Sequence, residues 1–386
     1  MADAFFENIF ENLSVLLVED NTFNRDLISN ILKQLGFSHV HTVKNGEEAI
    51  SFLKQSNVGH GQSTHNLVDV IVSDLRMSPV DGMVLLRWVR NHDHSPNRFI
   101  PFVMISGAAD QENVRMAREL GATEFIAKPF SVESIYKRLW NMVANHRRFV
   151  CSKDYFGPDR RRRTMGLPAD VLQERRKPLL NRASIVAANG QVVQPDHASN
   201  VWIFDTPNSL ETKIKTGSVT SVPFSKQVLQ RAEAALKKEQ PDFTKWAFGY
   251  LTEIDKLVTK AEHLPTARTS SIQAINDIAH DLRGQGGTFG YQLVTVLAES
   301  LYKATEPGVK MDAITFQVIR AHSDSLKAVF REKIKGDGGT VGRALLKAFE
   351  KAIQRAKDMT IDEEATARNT RQIDKLIPPV PPLHID

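Results

Sequence analysis

The stretch VDVIVSDLRMSPVDG, residues 68–82, decides how the first third of this chain is read. Val68, Val70, Ile71 and Val72 crowd into five positions. A strand with one wet face alternates apolar and polar side chains, whereas a strand covered on both faces has no reason to. The run ends on Ser73 and Asp74, and Pro79, Asp81 and Gly82 then supply turn chemistry. A buried strand that ends in a carboxylate is expected in an open parallel sheet, where ligands bind beyond the carboxyl ends of the strands.

Four further runs have the same character: VLLV (15–18), HVHTV (39–43), PFVMIS (101–106) and EFIA (124–127). Between them lie stretches at helical spacing, such as Leu27, Ile28, Ile31, Leu32 and Leu35. Strict alternation of such runs predicts an α/β fold over residues 12–145, a five-stranded, parallel, doubly wound sheet with helices on both faces. The polar link at 54–66, with His60 and His65, reads as a surface loop. The predicted carboxyl ends gather Glu19, Asp20, Asp74, Ser106 and Lys128 at one edge. Three clustered carboxylates repel one another unless a cation sits among them, and a hard, oxygen-preferring Mg²⁺ fits best.

In order over residues 13–140, LLVEDN, SDLRM…DG, ISGA and AKPF resemble the response-regulator receiver domain, which has a flavodoxin-like fold. The resemblance implies that Asp74 accepts a phosphoryl group from a histidine, with a sensor histidine kinase or a histidine phosphotransfer protein as donor. It implies that Asp20 and Asp74 bind Mg²⁺ together with the Arg76 backbone carbonyl, Glu19 acting mostly through water. Lys128 is expected to pair with the phosphate, Ser106 to donate to it once it has arrived, and Phe125 to be the aromatic switch. One departure is Ser78 where the family usually has proline; Pro79 follows, and the spacing from Asp74 to Gly82 is kept.

Residues 149–222 break the pattern. They are rich in charge, Pro, Gly, Asn and Ser and predict a partly disordered linker with at most one short strand or helix. The net charge of +5 is concentrated here, because residues 147–182 hold eleven Lys and Arg against four Asp and Glu. Arg160–Arg163 therefore read as a solvated run, and without a helix-turn-helix or an aromatic platform no nucleic-acid partner is expected.

From residue 223 the spacing is helical and predicts an all-α bundle to residue 358. Within it, IAHDLRGQGGTFGYQL (278–293) sets a histidine ahead of several glycines. Each interior glycine costs a helix about 1 kcal/mol against alanine. His280, Arg283, Gly284 and Gly287 share one face, stripped of bulk around an imidazole. His280, Leu282, Arg283, Gly284 and Gly290 resemble the histidine phosphotransfer (HPt) motif, H-x-L-K/R-G with a glycine ten residues after the histidine. That resemblance implies a phosphohistidine at His280, a cation at Arg283 near the phosphoryl oxygens, and a docking face at Gly284, Gly287 and Gly290 for the receiver domain of another protein. Gln285, Gly286 and Gly287 depart from the small helix formers usual there. The competing reading is a helix end with His280 as an ordinary polar residue, the phosphorylated receiver then controlling how a non-catalytic bundle docks on a protein target.

A kinase dimerisation helix is the other relative of HDLR, but Gln285 stands where its proline belongs, and the 96 residues after Gly290 are too few for a nucleotide-binding domain. GDGGTVG (336–342) reads as a turn before a helix. A phosphotransfer protein is expected, not a conventional enzyme, and no cofactor besides Mg²⁺. The tail, 359–386, with LIPPVPPLHID, is expected to be extended and disordered. One cysteine, Cys151, in 386 residues and the lack of a membrane-spanning run predict a cytoplasmic protein without a membrane partner.

Overall fold

The unbroken apolar runs become the strands of a parallel sheet in the computed structural model, which describes residues 9–58, 68–106, 111–160, 176–178, 201–205, 209–214, 229–234, 243–310 and 312–355. The chain divides into two units, Met1–Pro241 and Asp242–Asp386. In the first, β1 (Ser14–Val18), α1 (Thr22–Gln34), β2 (His39–Val43), α2 (Gly46–Val58), β3 (Val70–Asp74), α3 (Gly82–Asn91), β4 (Phe102–Ser106), α4 (Gln111–Glu119), β5 (Glu124–Ala127) and α5 (Val132–Ala144) alternate along the chain. The strand order is β2-β1-β3-β4-β5, and every pairing is parallel. This is the flavodoxin-like α/β arrangement expected from the sequence.

Burial explains why those runs were readable. All residues of β1, β3 and β4 are buried, whereas the outer strands β2 and β5 keep partly exposed positions. Helix starts are defined locally: Asn21 caps α1 through Asn24 N–H, Asp81 caps α3 through Val84 N–H, and Ser131 closes a capping box with Ser134 on α5. Gly82 follows the capping Asp81 because a Cβ there would lie 2.1 Å from the Asp74 carbonyl oxygen. The loop after Asp74 is thereby folded tightly back onto β3.

The stretch expected to be a linker contributes a second sheet. β6 (Phe149–Ser152), β7 (Tyr155–Pro158), β8 (Arg176–Pro178) and β9 (Val201–Phe204) stand in the order β7-β6-β9-β8. Phe149, Cys151 and Phe156 form a small core with Phe99. Gly157 packs against Gly121, so closely that a Cβ on Gly157 would lie 2.8 Å from the Gly121 Cα. Gly121 and Phe99 precede β5 and β4, so this hairpin covers the amino edge of the parallel sheet, opposite Asp74. A short helix, α6 (Ser209–Lys213), packs on α5 with Leu210 buried, and Lys213 Nζ pairs with Asp69 at 2.7 Å. The sequence did not reveal these elements because each strand is three or four residues long and the pair β6–β9 joins segments separated by charge-rich chain. Arg161–Arg163, the 54–66 link beyond Val58, and the tail 359–386 lie outside the described residues.

The second unit is helical: α7 (Phe243–His263), α8 (Arg268–Gly286), α9 (Gln292–Ala304), α10 (Ala313–Arg331) and a helix over 339–355. α8 packs on α7 and α9, and α10 closes the ring by packing on both α9 and α7. Each helix turns an apolar stripe inward, for example Leu251, Ile254 and Val258 of α7 and Ile272, Ile275, Ala279 and Leu282 of α8.

His322 of α10 is fully buried in this core. Its Nδ1 lies 2.7 Å from the Val318 carbonyl oxygen, which can only accept, so Nδ1 carries the proton and Nε2 accepts from Ser300 Oγ at 2.9 Å. Burial pushes its pKa down to about 4, against a smaller upward pull from the Val318 carbonyl. The unfolded chain therefore takes up this proton first, near the ordinary value of about 6.5. The stability that neutral His322 contributes is present in full above that value and is lost as pH falls toward 4. Urea unfolding followed by helical circular dichroism is expected to register a loss of about 3 kcal/mol over that window, flattened in His322→Gln.

Candidate functional site

Four strand ends converge at the carboxyl edge of the parallel sheet. Asp74 ends β3, Ser106 ends β4 one residue past the partner of Asp74, and Lys128 follows β5. Glu19 and Asp20 follow β1. Carboxylate oxygens of Glu19, Asp20 and Asp74 all lie within 4.8 Å of one another. Glu19 (1% exposed), Asp74 (3%) and Lys128 (4%) are buried, while Asp20 is exposed.

One ammonium holds this edge together. Lys128 Nζ donates to Glu19 Oε2 at 3.1 Å and pairs with Asp74 Oδ2 at the same distance, 3.1 Å. The other Asp74 oxygen, Oδ1, accepts from Leu75 N–H at 2.9 Å. Three carboxylates thus gather around one shared ammonium at a largely buried edge. Such a donor set, all oxygen with an open flank at Asp20, fits a hard divalent cation. The residues therefore suit Mg²⁺ on their own chemistry.

The other predicted residues lie on β4, after β3 and on β5. Ser106 is fully buried at the β4 terminus. The Arg76 side chain is exposed, two residues past Asp74, in the loop that Gly82 folds back. Phe125 is half-buried beside Met104 of β4 and packs against the core under the site. Two residues escaped the sequence reading. Arg25 Nη1 donates to the carbonyl oxygens of Glu19 at 2.8 Å and Asp20 at 3.2 Å, holding the acidic loop to α1. Asn24 Nδ2 donates to Glu19 Oε1 at 3.2 Å. Their signal was the spacing VEDNTFNR, which returns polar side chains to the acids across the first turn of α1.

The helical unit is all-α as expected, and His280 lies in its packed interior. His280 is 4% exposed, its ring facing Tyr302, with Nδ1 3.7 Å from Asp281 Oδ1 and Nε2 buried without a hydrogen-bond partner among the described residues. Arg283 is also buried, bound to Glu299 Oε2 at 2.6 Å and stacked 4.4 Å over the Tyr302 ring. Gly284 is buried as well. The glycines have structural duties. A Cβ on Gly286 would lie 2.8 Å from both Thr295 N and Thr295 Oγ1, so that residue sets the close approach of α8 to α9. Gly287 caps α8, and Gly290, at φ +75°, turns the chain and accepts Gly336 N–H at 2.8 Å. The face expected to be open around His280 is thus closed at His280, Arg283 and Gly284, while Gly287 and Gly290 keep partial exposure. Spacing alone does not separate a glycine that admits a partner from one that admits the next helix.

Residues 15–140 match the family model described as response regulator receiver domain. Over 128 residues the chain is 30% identical to the probable chemotaxis protein CheY of Rhizobium etli, covering 33% of this chain and 90% of that one. Among solved structures, it is similar to Vibrio cholerae CheY4 (28% identity, 33% of this chain and 95% of that chain, TM-score 0.28). It is also similar to the receiver domain of the Pseudomonas aeruginosa sensor histidine kinase PA1611, solved with magnesium coordinated in its active-site cleft (26% identity, 33% and 95%, TM-score 0.28).

Proposed function

The chain belongs to the response-regulator receiver family, and from that premise we propose that it is a two-component signalling protein that accepts a phosphoryl group on Asp74 from a phosphohistidine donor, with Mg²⁺ at Glu19, Asp20 and Asp74. The observation that carries the reading is the Lys128 ammonium shared between Glu19 and Asp74 inside a cluster of three carboxylates. A carboxylate oxygen of Asp74 forms the new O–P bond as the P–N bond to the donor imidazole breaks, and the imidazole leaves with that electron pair. Mg²⁺, when bound by Asp20, Asp74 and the Arg76 carbonyl, supplies charge stabilisation for the transferring phosphoryl oxygens. Lys128 already lies against Asp74 and has only to turn toward an incoming phosphoryl oxygen. In this reading Ser106, at the adjacent strand end, donates to the same group, and Phe125, on the outer strand β5, is the aromatic switch.

The donor implied by this chemistry is a sensor histidine kinase or a histidine phosphotransfer protein. A small P–N compound, phosphoramidate, tests it without knowledge of the natural donor. Intact-mass analysis of the full chain is expected to gain one phosphoryl group in the presence of Mg²⁺ and none in EDTA, with the adduct removed by hydroxylamine. A chain that stays unlabelled in Mg²⁺ contradicts the reading.

For the helical unit, the burial of His280 favours a bundle that docks on a protein target under control of the phosphorylated receiver over one that carries phosphate at His280. His280→Gln is accordingly expected to leave the total label unchanged, whether the donor is phosphoramidate or a phosphorylated receiver domain. Loss of an acid-labile, base-stable fraction in that variant would reinstate His280 as a second phosphotransfer site, with a partner receiver facing Gly284, Gly287 and Gly290.

A further inference from the structure

We propose that Asn24 is a positioning residue of the phosphoryl-accepting site, acting through Glu19; the proposal rests on the receiver reading above. Asn24 sits in the first turn of α1, is fully buried, and receives its backbone geometry from the Asn21 cap. Its Nδ2 donates to Glu19 Oε1 at 3.2 Å, while the other oxygen of the same carboxylate, Oε2, accepts from Lys128 Nζ at 3.1 Å. Glu19 is therefore held from both sides, by an amide anchored on a helix and by an ammonium that is itself shared with Asp74 at 3.1 Å. The buried order is Asn24, Glu19, Lys128, Asp74.

The consequence follows from the equal division of Lys128. An ammonium 3.1 Å from two carboxylates is apportioned by where each of them sits. Asp74 is fixed at the strand end by Leu75 N–H. The Glu19 side chain has more rotatable bonds, and Asn24 holds its Oε1 while Lys128 holds its Oε2. Without that amide, Glu19 loses a contact that sets its distance from the ammonium and its place in the metal-facing cluster. The carbonyl end of the amide adds a second observation. Asn24 Oδ1 is buried with no hydrogen-bond partner among the described residues, an acceptor available to a donor such as a water held near Glu19. Asn24 thus sets both the charge presented to Mg²⁺ and the share of Lys128 left for Asp74.

The test is titration calorimetry of Mg²⁺ into the full chain, paired with phosphoramidate labelling rates, for the wild type, Asn24→Ala, Glu19→Gln and the double variant. Asn24→Ala is expected to weaken Mg²⁺ binding about tenfold, in the range for loss of a partner that orients a metal ligand. It should also slow labelling at saturating Mg²⁺. Because the effect passes through Glu19, the double variant should be no worse than Glu19→Gln alone. Should Asn24→Ala not fold, Asn24→Ser keeps a small polar side chain too short to span to Glu19 and is expected to show the same loss. Unchanged Mg²⁺ affinity in a folded Asn24 variant, or a loss that adds in full to that of Glu19→Gln, overturns the assignment. A wild type that neither binds Mg²⁺ nor takes up label contradicts the receiver reading itself, whereas a competent wild type matched by Asn24→Ala removes only the role of Asn24.

Discussion

Asp74→Asn is expected to reduce labelling by phosphoramidate to background while leaving the first unit folded. The substitution is nearly isosteric, and the amide oxygen can still accept from Leu75 N–H, which Asp74 Oδ1 now does at 2.9 Å. What disappears is the anionic oxygen beside Lys128. A neutral amide oxygen is too weak a nucleophile to displace a P–N leaving group. The variant also removes one of the three carboxylates that lie within 4.8 Å of one another, so its Mg²⁺ affinity should fall together with the label. Asp20→Asn separates the two effects. It leaves the nucleophile intact and takes away an exposed metal-facing carboxylate, so labelling should be recovered in part by raising Mg²⁺. Intact-mass labelling across a Mg²⁺ series distinguishes the pair, and label that survives in Asp74→Asn would move the acceptor elsewhere.

This site was legible because its parts sit at strand ends, and the strands themselves were legible. VLLV, VIVSD and FVMIS are apolar without alternation because the sheet covers them on both faces, so their carboxyl-terminal residues could be located and compared. Lys128 is separated from Glu19 by most of the receiver sequence, yet the parallel register brings it to the same edge. Asn24 was not legible, because an asparagine in the first turn of a helix is ordinary capping chemistry until its side-chain partner is known. The second sheet was hidden for a different reason. Four-residue strands such as Phe149–Ser152 and Val201–Phe204 carry too few side chains to establish a period, and their pairing is long-range. His280 shows the limit of motif reading in the other direction. The spacing of His280, Arg283, Gly284 and Gly290 is real, but Gly286 and Gly290 are accounted for by the approach of α9 and by a left-handed turn.

Arg90 carries the largest expected stability effect, and nothing in its hydropathy announced it. It lies on α3, is 0% exposed, and donates through Nε to Gly121 O at 3.0 Å and through Nη1 to Arg98 O and Ile100 O, both at 2.8 Å. Those carbonyls precede β4 and β5, at the amino edge of the sheet. The guanidinium also lies 5.7 Å from the centroid of the Phe149 ring, so one side chain ties α3, two strand entries and the second sheet together. Burial lowers its pKa to about 10, which still leaves it charged at neutral pH. Arg90→Leu would strand three buried carbonyl oxygens, each costing about 1–3 kcal/mol, and the gain in apolar contact offsets part of that. A net loss of about 4 kcal/mol is expected in urea unfolding of the full chain. Arg90→Lys should recover little of it, because a single ammonium does not reproduce the planar fork that spans these acceptors. Since Arg90 stands at the edge opposite Asp74, the fraction of Arg90→Leu that remains folded should accept label from phosphoramidate at the wild-type rate. A labelling defect in protein that keeps its native circular dichroism would mean instead that the amino edge and the carboxyl edge of this sheet are coupled.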